Sequence, residues 1–456
     1  MKLALYDTLT RELQLVQTQD LAVNIYCCGP TVYRDAHVGN LRTFLLADLI
    51  RRALELEGAK VNLIQNITDV GHMSEDVQSE DKLLMQAGIE NIDPFAIARK
   101  YEDRFHSDLN RLNIASASAY PRASETIELM LTTISDLVKR KFAYVAESGS
   151  VYFDANSFSS YGALSGNRLD SLKPGHRYEF SDESEKRFHA DWSLWKAAGN
   201  RTEMVWESPW GMGFPGWHIE CTAMSLSFLS KKIDIHIGGI DLRFPHHENE
   251  RAQSNAITGS EAVSMWVHGE HLLFEGRKMS KSAGNVVLLQ DLIDRGLDPL
   301  ALRFCLLENR YRTQMDLTWA SLDAANSTLR RWRNMIATWG NSNQVIEDLD
   351  IAAAIAKDLD TPKIMIRLRL IEKQDEFSAQ DKRAIFNYAD QVLGLDLMRR
   401  QESIAPTPEV VVLLEARANA RSEKNWAESD RLRDELKKLG VIISDSATGQ
   451  SWEWNF

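Results

Sequence analysis

Short apolar runs and three-to-four residue spacings alternate through the first part of the chain, which predicts strands and helices in turn. Val23-Asn24-Ile25-Tyr26-Cys27-Cys28 is an apolar run closed by Gly29-Pro30, the pattern of a buried parallel strand. After a glycine-bearing turn, Phe44, Ala47, Ile50 and Leu54 step by three and four toward Gly58 and predict a long helix. Val61-Asn62-Leu63-Ile64-Gln65-Asn66 predicts a second strand. This order is one unit of a doubly wound sheet, whose ligands collect at the C-terminal ends of the strands. From 113 to 204 the pattern is mixed and more polar, helical over Thr126 to Lys139 and irregular over Ser157 to Asp182, as expected of an insertion between two halves of the sheet. The second half resumes with a helix over Cys221 to Leu229 and an alternating strand over Ile233 to Ile237 that runs into Gly238-Gly239. A further helix starts at Pro245, a residue suited to a first turn, and stops by Gly259.

Beyond about residue 320 the chain turns helical. Leu322, Ala325, Leu329, Trp332, Ile336 and Trp339 form one core-facing stripe ended by Gly340. Pro406-Thr407-Pro408 marks a linker, and helices are expected over Val410 to Ser422 and Trp426 to Leu439, with Lys437 and Lys438 suited to a helix C-terminus before Gly440. Two short strands flanking Ala447-Thr448-Gly449 complete a small separate module. The fold class expected is α/β: a doubly wound, Rossmann-type parallel sheet with an inserted domain, then an α-helical bundle, then a small α+β module.

Bulk properties narrow the class without choosing a function. At 456 residues the chain has room for about three domains, and 44% apolar with 26% charged residues is the composition of a globular protein. No apolar run reaches the roughly 18 residues of a spanning helix, and the first residues meet Asp7, Arg11 and Glu12 too early for a secretory core, so the cytoplasm is the expected location. Four cysteines in that setting argue against a disulfide framework. A net charge of −12 argues against indiscriminate nucleic-acid binding, though not against a specific RNA met by a local patch.

Two constellations carry candidate chemistry. Zinc takes four ligands from Cys, His, Asp or Glu. His246 and Glu250 stand four apart on one helical face, Cys221 opens another predicted helix, and Cys28 ends a strand where ligands collect. Adjacent strand residues point to opposite faces, so Cys27 and Cys28 do not share a metal, and Cys28 abuts the Gly29-Pro30 turn. On spacing alone, buried small thiols and an ordinary helix pair explain these residues as well as a metal does, because no C-x-x-C or H-E-x-x-H is present. The second constellation suits a nucleotide. His37-Val38-Gly39-Asn40 lies between strand and helix, where free N–H groups and a glycine admit phosphate. Lys278-Met279-Ser280-Lys281-Ser282 is a loop whose lysines can swing onto a triphosphate.

Together these residues resemble the class I aminoacyl-tRNA synthetases, with their His-x-Gly-His and Lys-Met-Ser-Lys-Ser signatures. The resemblance to the cysteinyl-tRNA synthetase family runs nearly end to end, through Cys28 to Tyr33, Asn66-Ile67-Thr68-Asp69, Pro215 to Cys221, Asp234-Ile235-His236, Phe244 to Glu250 and Lys278 to Ser282. It implies a cysteine–tRNA ligase that forms cysteinyl-adenylate from L-cysteine and ATP, with Mg²⁺, and transfers it to the 3′ end of tRNA(Cys). It implies one Zn²⁺ per chain on Cys28, Cys221, His246 and Glu250, selecting the substrate thiolate. Thr31, Thr68, Trp217 and His236 become the amino-acid pocket. His37, Asn40, Lys278 and Lys281 become the catalytic phosphate contacts, with Gly39, Gly239 and Asp241 also against ATP. The divisions expected are a catalytic first half at 1–112, a connective insertion at 113–204, a catalytic second half at 205–256, a linker domain bearing the lysine loop at 257–320, a helical bundle at 321–404 and an anticodon-binding module at 405–456.

Two departures stand out: Asn40 replaces the second signature histidine, and Ile237 stands where glycine is common. Arg421, Trp426, Asp430, Asp445 and Trp452 fall where the anticodon module has its pattern, although from Pro406 onward seven basic residues face nine acidic ones and Trp426 is expected in the core. Relatives that join cysteine to an amino-sugar amine lack that RNA-reading end, and a non-catalytic zinc-binding paralogue would not need an intact lysine loop. With no long unpaired helical stripe, a monomer that meets no membrane is expected.

Overall fold

The computed structural model describes residues 2–17, 22–70, 81–172, 185–230, 232–279, 284–399, 406–446 and 449–454. At its centre are four parallel strands, β1 (Ala22–Cys27), β2 (Lys60–Gln65), β3 (Ile235–Gly239) and β4 (Trp266–Gly269), in the spatial order β4-β3-β1-β2. The chain leaves β1 toward one edge and β3 toward the other, so the crevice at their C-terminal ends is a topological switch point. Helix α1 (Val38–Leu56) covers one face, and α2 (Trp217–Phe228) with α3 (His246–Thr258) covers the other. On α1, Val38, Leu41, Phe44, Leu45, Ile50 and Leu54 are buried, each worth roughly 1.5–3 kcal/mol of apolar transfer. Cys27 joins the core on the α1 side and Cys28 the core on the α2 and α3 side, as neighbouring extended residues must.

Several expectations need correction. Strand β3 begins at Ile235, with Ile233 in only an isolated bridge, and α2 starts at Trp217, so Cys221 lies in its second turn instead of opening it. An N-terminal hairpin, Ala4–Asp7 with Glu12–Leu15, was not foreseen. The insertion also holds an antiparallel sheet of Ala143–Val145, Val151–Phe153, Trp192–Ala197 and Gly213–Pro215. Its first, second and fourth strands have only three residues each, too short for a period-two pattern to register. The last of them lies past residue 204, and β4 lies past residue 256, so both expected boundaries cut through sheets.

A three-stranded sheet of Arg277–Lys278, Leu272–Phe274 and Met315–Leu317 follows the parallel core. The buried Arg42 of α1 joins the two, donating to the carbonyls of Glu270, His271, Arg310 and Thr313 at 2.8–3.1 Å. Helices Trp319–Thr338, Leu349–Ala356, Thr361–Lys373 and Ala379–Leu393 form the expected bundle, with Leu322, Ala325, Leu329, Trp332 and Ile336 buried. The C-terminal module pairs helices Pro408–Ser422 and Trp426–Lys438 with an antiparallel hairpin, Val441–Ser446 and Gly449–Trp454, around its own small core. Trp426 is not in that core: it opens its helix 57% exposed, with Arg421 5.8 Å above its ring. Trp452 packs on the core half-buried, and Asp445 pairs with Arg417 and Arg421. Among the described residues no helix is long and apolar enough to cross a membrane.

Candidate active site and metal centre

Three elements converge on Cys28. Its N–H extends the β1 ladder to the Ile237 carbonyl at 3.1 Å, and the next N–H, that of Gly29, donates to Asn66 Oδ1 at 2.8 Å. A Cβ on Gly29 would stand 1.6 Å from the Asn66 carbonyl oxygen, so only glycine permits this approach. Cys221 projects from α2, and His246 and Glu250 from successive turns of α3. Cys28 Sγ lies 3.8 Å from Cys221 Sγ and 3.5 Å from Glu250 Oε1, and His246 Nε2 lies 2.9 Å from Glu250 Oε1. Two zinc–sulfur bonds of about 2.3 Å at a tetrahedral angle span about 3.8 Å, so the thiol pair fits a common ion.

The same centre offers a second donor set, Cys28, His236, His247 and Glu250, which sequence reading missed. Hydrogen bonding favours the first. His246 Nδ1 meets His218 Nδ1 at 2.9 Å, a partner that orients the ring and frees Nε2 toward Glu250 and the thiols. His236 has no partner at Nδ1 among the described residues, so ligation through Nε2 would bury an unpaired N–H. His236 and His247 instead each bring Nε2 to 3.4 Å from Cys28 Sγ, at hydrogen-bond range of the sulfur. His247 is held from behind by His268 at 2.8 Å, and His268 by Thr8 Oγ1 at 2.8 Å.

Electrostatics agree with a cation site. Burial pushes the Cys28 thiol up, helped by Cys221 beside it. Burial opposes charge on His246 too, yet the Glu250 carboxylate and Cys221 outweigh it and hold the imidazole at about 10. Burial lowers His236 to about 4 and His268 to about 3 and also depresses His247, so these three rings are neutral.

Above the centre opens a cavity of about 370 Å³ whose wall includes Cys28, Cys221 and His246. Thr31 and Thr68 face each other there across a parallel bridge, and Trp217 lies half-buried at the head of α2, its ring 4.2 Å from that of His246. His236, expected against the substrate, is 1% exposed beneath Cys28 and does not line the cavity. It alternates with Ile237, whose side chain goes to the α1 face.

The opposite end of the cavity is the N-terminus of α1. His37 is its N-cap: Nδ1 accepts the Asn40 N–H at 3.2 Å, while Asn40 Oδ1 accepts the His37 N–H at 3.2 Å. This reciprocal box sets the His37 tautomer, leaving Nε2–H outward as a donor. Burial, with Arg34 close by, lowers His37 to about 4, so the ring is neutral. A Cβ on Gly39 would press at 3.0 Å on both the His37 ring and Met279 Cε. A Cβ on Gly239 would meet Asp241 Oδ1 at 2.4 Å, and one on Gly238 would meet the His247 ring at 2.4 Å. Lys278 borders the cavity from the three-stranded sheet, while Lys281 lies outside the described residues. Asn66, His218, His247 and Met279 were legible only as members of motifs. Their roles depend on partners far away in the chain.

A switch-point cavity with a histidine-capped helix at one end and a lysine strand at its border defines a class I aminoacyl-tRNA synthetase fold. Residues 14–327 match the family described as tRNA synthetases class I (C) catalytic domain, and residues 406–452 match the cysteinyl-tRNA ligase anticodon binding domain. Among solved structures, a Mycobacterium tuberculosis methionyl-tRNA synthetase in complex with methionyl-adenylate is similar at a TM-score of 0.55 and 15% identity, over 82% of this chain and 88% of that one. The Agrobacterium radiobacter K84 agnB2 LeuRS–tRNA–LeuAMS complex is similar at a TM-score of 0.59 and 10% identity, over 82% and 83%. The chain belongs to the cysteine–tRNA ligase family: a Thermus thermophilus cysteine–tRNA ligase is 40% identical over 99% of both chains, and that of Chlamydia muridarum is 39% identical over 98% and 99%.

Proposed function

We propose that the protein activates L-cysteine with ATP and transfers it to the 3′ end of tRNA(Cys), with Cys28, Cys221, His246 and Glu250 holding one Zn²⁺. The observation that carries this reading is the single cavity that has a thiol-rich centre in its wall and a phosphate-suited helix N-terminus opposite. Bound there, Zn²⁺ supplies a position that a thiolate fills well and an alcohol poorly, which serves a choice between cysteine and serine that shape alone makes only about a hundredfold. Thr31, Thr68 and Trp217 hold the rest of the amino acid so that its carboxylate meets the α-phosphate of ATP in line. His37 Nε2–H, the Asn40 amide and Lys278 with Lys281 draw charge from the phosphates as pyrophosphate leaves, and Gly39, Gly239 and Asp241 let adenosine lie close to the backbone. ATP enters as its Mg²⁺ complex.

The match of residues 406–452 to an anticodon-binding domain supports tRNA over a small amine as acceptor. Exposed Trp426 beside Arg421 and Asp445 supports stacking and base-edge contact there. A monomer working in the cytoplasm completes the reading. It is tested by ATP-dependent charging of total tRNA with labelled cysteine against excess serine. Charging that survives serine is expected. Cysteine-dependent pyrophosphate exchange without charging would move the acceptor to a small amine, and neither activity would leave a non-catalytic zinc protein.

A further inference from the structure

The turn between Cys28 and α1 carries a cation that the proposed chemistry leaves unused. Arg34 is half-buried and lines the same cavity as His37, three residues before that N-cap. Among the described residues it has no carboxylate or hydrogen-bond partner; Asp35, next along the chain, is taken by Arg104 at 2.6 Å. Asp241 and Glu270, the other acids on the cavity wall, do not pair with it. On the helix Pro94–Arg111, which supplies Arg104, the other cations are matched as well: Arg99 by Asp69 at 2.8 Å and Lys100 by Glu90 at 2.5 Å. The Arg34 guanidinium instead lies 5.1 Å from the centroid of the Tyr33 ring, within cation–π range. A second cation, Lys82, stands 6.0 Å from the same ring, and Tyr33 and Lys82 both line the cavity. Lys82 opens the helix Lys82–Glu90, at the end where a helix favours negative charge, so its placement adds to a positive field. Two like charges gathered on one ring, with the adjacent acid committed elsewhere, suit an anion. The neighbouring helix terminus points to phosphate. After burial, the charge of Arg34 is the main reason that His37 stays neutral, and Asn40 is an amide, so the head of α1 offers donors without a charged side chain of its own.

We infer that Arg34 is a phosphate contact for ATP, a guanidinium that supplies beside the α1 N-terminus the positive charge that His37 and Asn40 do not carry. The inference rests on the proposed function, in which that terminus meets the triphosphate, and it adds a residue outside both nucleotide motifs. Tyr33 holds the guanidinium by a ring face and not by a carboxylate, so no ion pair has to break when ATP arrives.

Cysteine-dependent pyrophosphate exchange runs without tRNA and therefore isolates the contact with ATP. Arg34→Gln should raise the KM for ATP about 10- to 100-fold, the scale of a hydrogen bond to a charged group, and leave the KM for cysteine within about twofold. Arg34→Lys keeps the charge but loses the planar fork, so its KM for ATP should fall between those of wild type and Arg34→Gln. Zinc content and thermal midpoint should not move, because the side chain holds no partner that its loss would strand. An unchanged KM for ATP in Arg34→Gln, or equal losses for ATP and cysteine, would overturn the inference. So would normal exchange with a raised KM for tRNA in charging, which would assign the guanidinium to phosphates of the acceptor end. Wild-type protein without exchange activity would instead sink the proposed function. Should Arg34→Gln fail to fold, Arg34→Lys carries the same split of ATP against cysteine.

Discussion

Asn40→Asp should move stability and catalysis in opposite directions. In the structure the Asn40 side chain caps α1 through its oxygen, accepting the His37 N–H at 3.2 Å, and only its nitrogen is left to face phosphate. An aspartate retains the accepting oxygen. It also adds the first acidic side chain to a turn that has none, favourable with the helix dipole by about 0.3–1 kcal/mol. The thermal midpoint should therefore hold or rise slightly. Toward ATP the same change removes a donor to a charged group, worth about 1.5–3 kcal/mol, and sets a carboxylate against phosphate. At about 5 Å and an effective dielectric of about 40, appropriate to an exposed position, the repulsion is roughly 1.7 kcal/mol. The sum, about 3–5 kcal/mol, is a drop of roughly 100- to 3,000-fold in kcat/KM for ATP. Asn40→Ala loses cap and donor without repulsion, so it should be less stable than Asn40→Asp and more active. Pyrophosphate exchange at varied ATP, with differential scanning fluorimetry, reads both scales. If Asn40→Asp kept kcat/KM for ATP within about threefold, or fell in stability below Asn40→Ala, the assignment of oxygen to cap and nitrogen to phosphate would be refuted.

Three further outcomes follow from the geometry. Cys221→Ser should reduce bound zinc, measured by elemental analysis after dialysis, and let serine compete in charging; full zinc content with undiminished discrimination would remove Cys221 from the centre. Asp48→Ala should destabilise the protein to urea by about 3–5 kcal/mol, because it strands Arg303. Both side chains are fully buried, and Asp48 accepts from Arg303 at 2.6 Å, from Arg52 at 2.7 Å and from the Ala115 N–H at 3.0 Å. His37 should stay neutral by NMR titration down to a pH of about 4. Its folded value lies below the ordinary value of 6.5, so the unfolded chain binds the extra proton first. This group's contribution is complete above 6.5 and is lost as the pH falls toward 4. A measured value at or above 6.5 would contradict the half-buried, Arg34-flanked setting.

Much of the site could be read before the fold was known because its parts are local. Strand β1, the long α1, the helix bearing His246 and Glu250, and the stripe from Leu322 to Ile336 announce themselves through period and terminators, signals that act within a few residues. Strand geometry likewise separated Cys28 from Cys27. Where expectation failed, the signal was short or the deciding contact was remote. The three-residue strands of the insertion are too short for a period-two pattern to register. Trp426 sits on a helix with a buried stripe but points away from it, which depends on what the neighbouring helix covers.

By itself, then, the sequence determined which segments become strands and helices around the nucleotide and metal motifs, because hydrophobic period, caps and glycine turns act over a few residues. Only the tertiary structure decided which donors meet. It brought Cys28 to Cys221 across 193 positions, set His218 against His246, left His236 Nδ1 without a partner among the described residues, and withdrew His236 from the cavity wall. Those choices depend on hydrogen-bond satisfaction inside a packed interior, where an unpaired buried N–H costs about 1–3 kcal/mol. That cost is set by every element that borders the site, and no stretch of sequence contains them all.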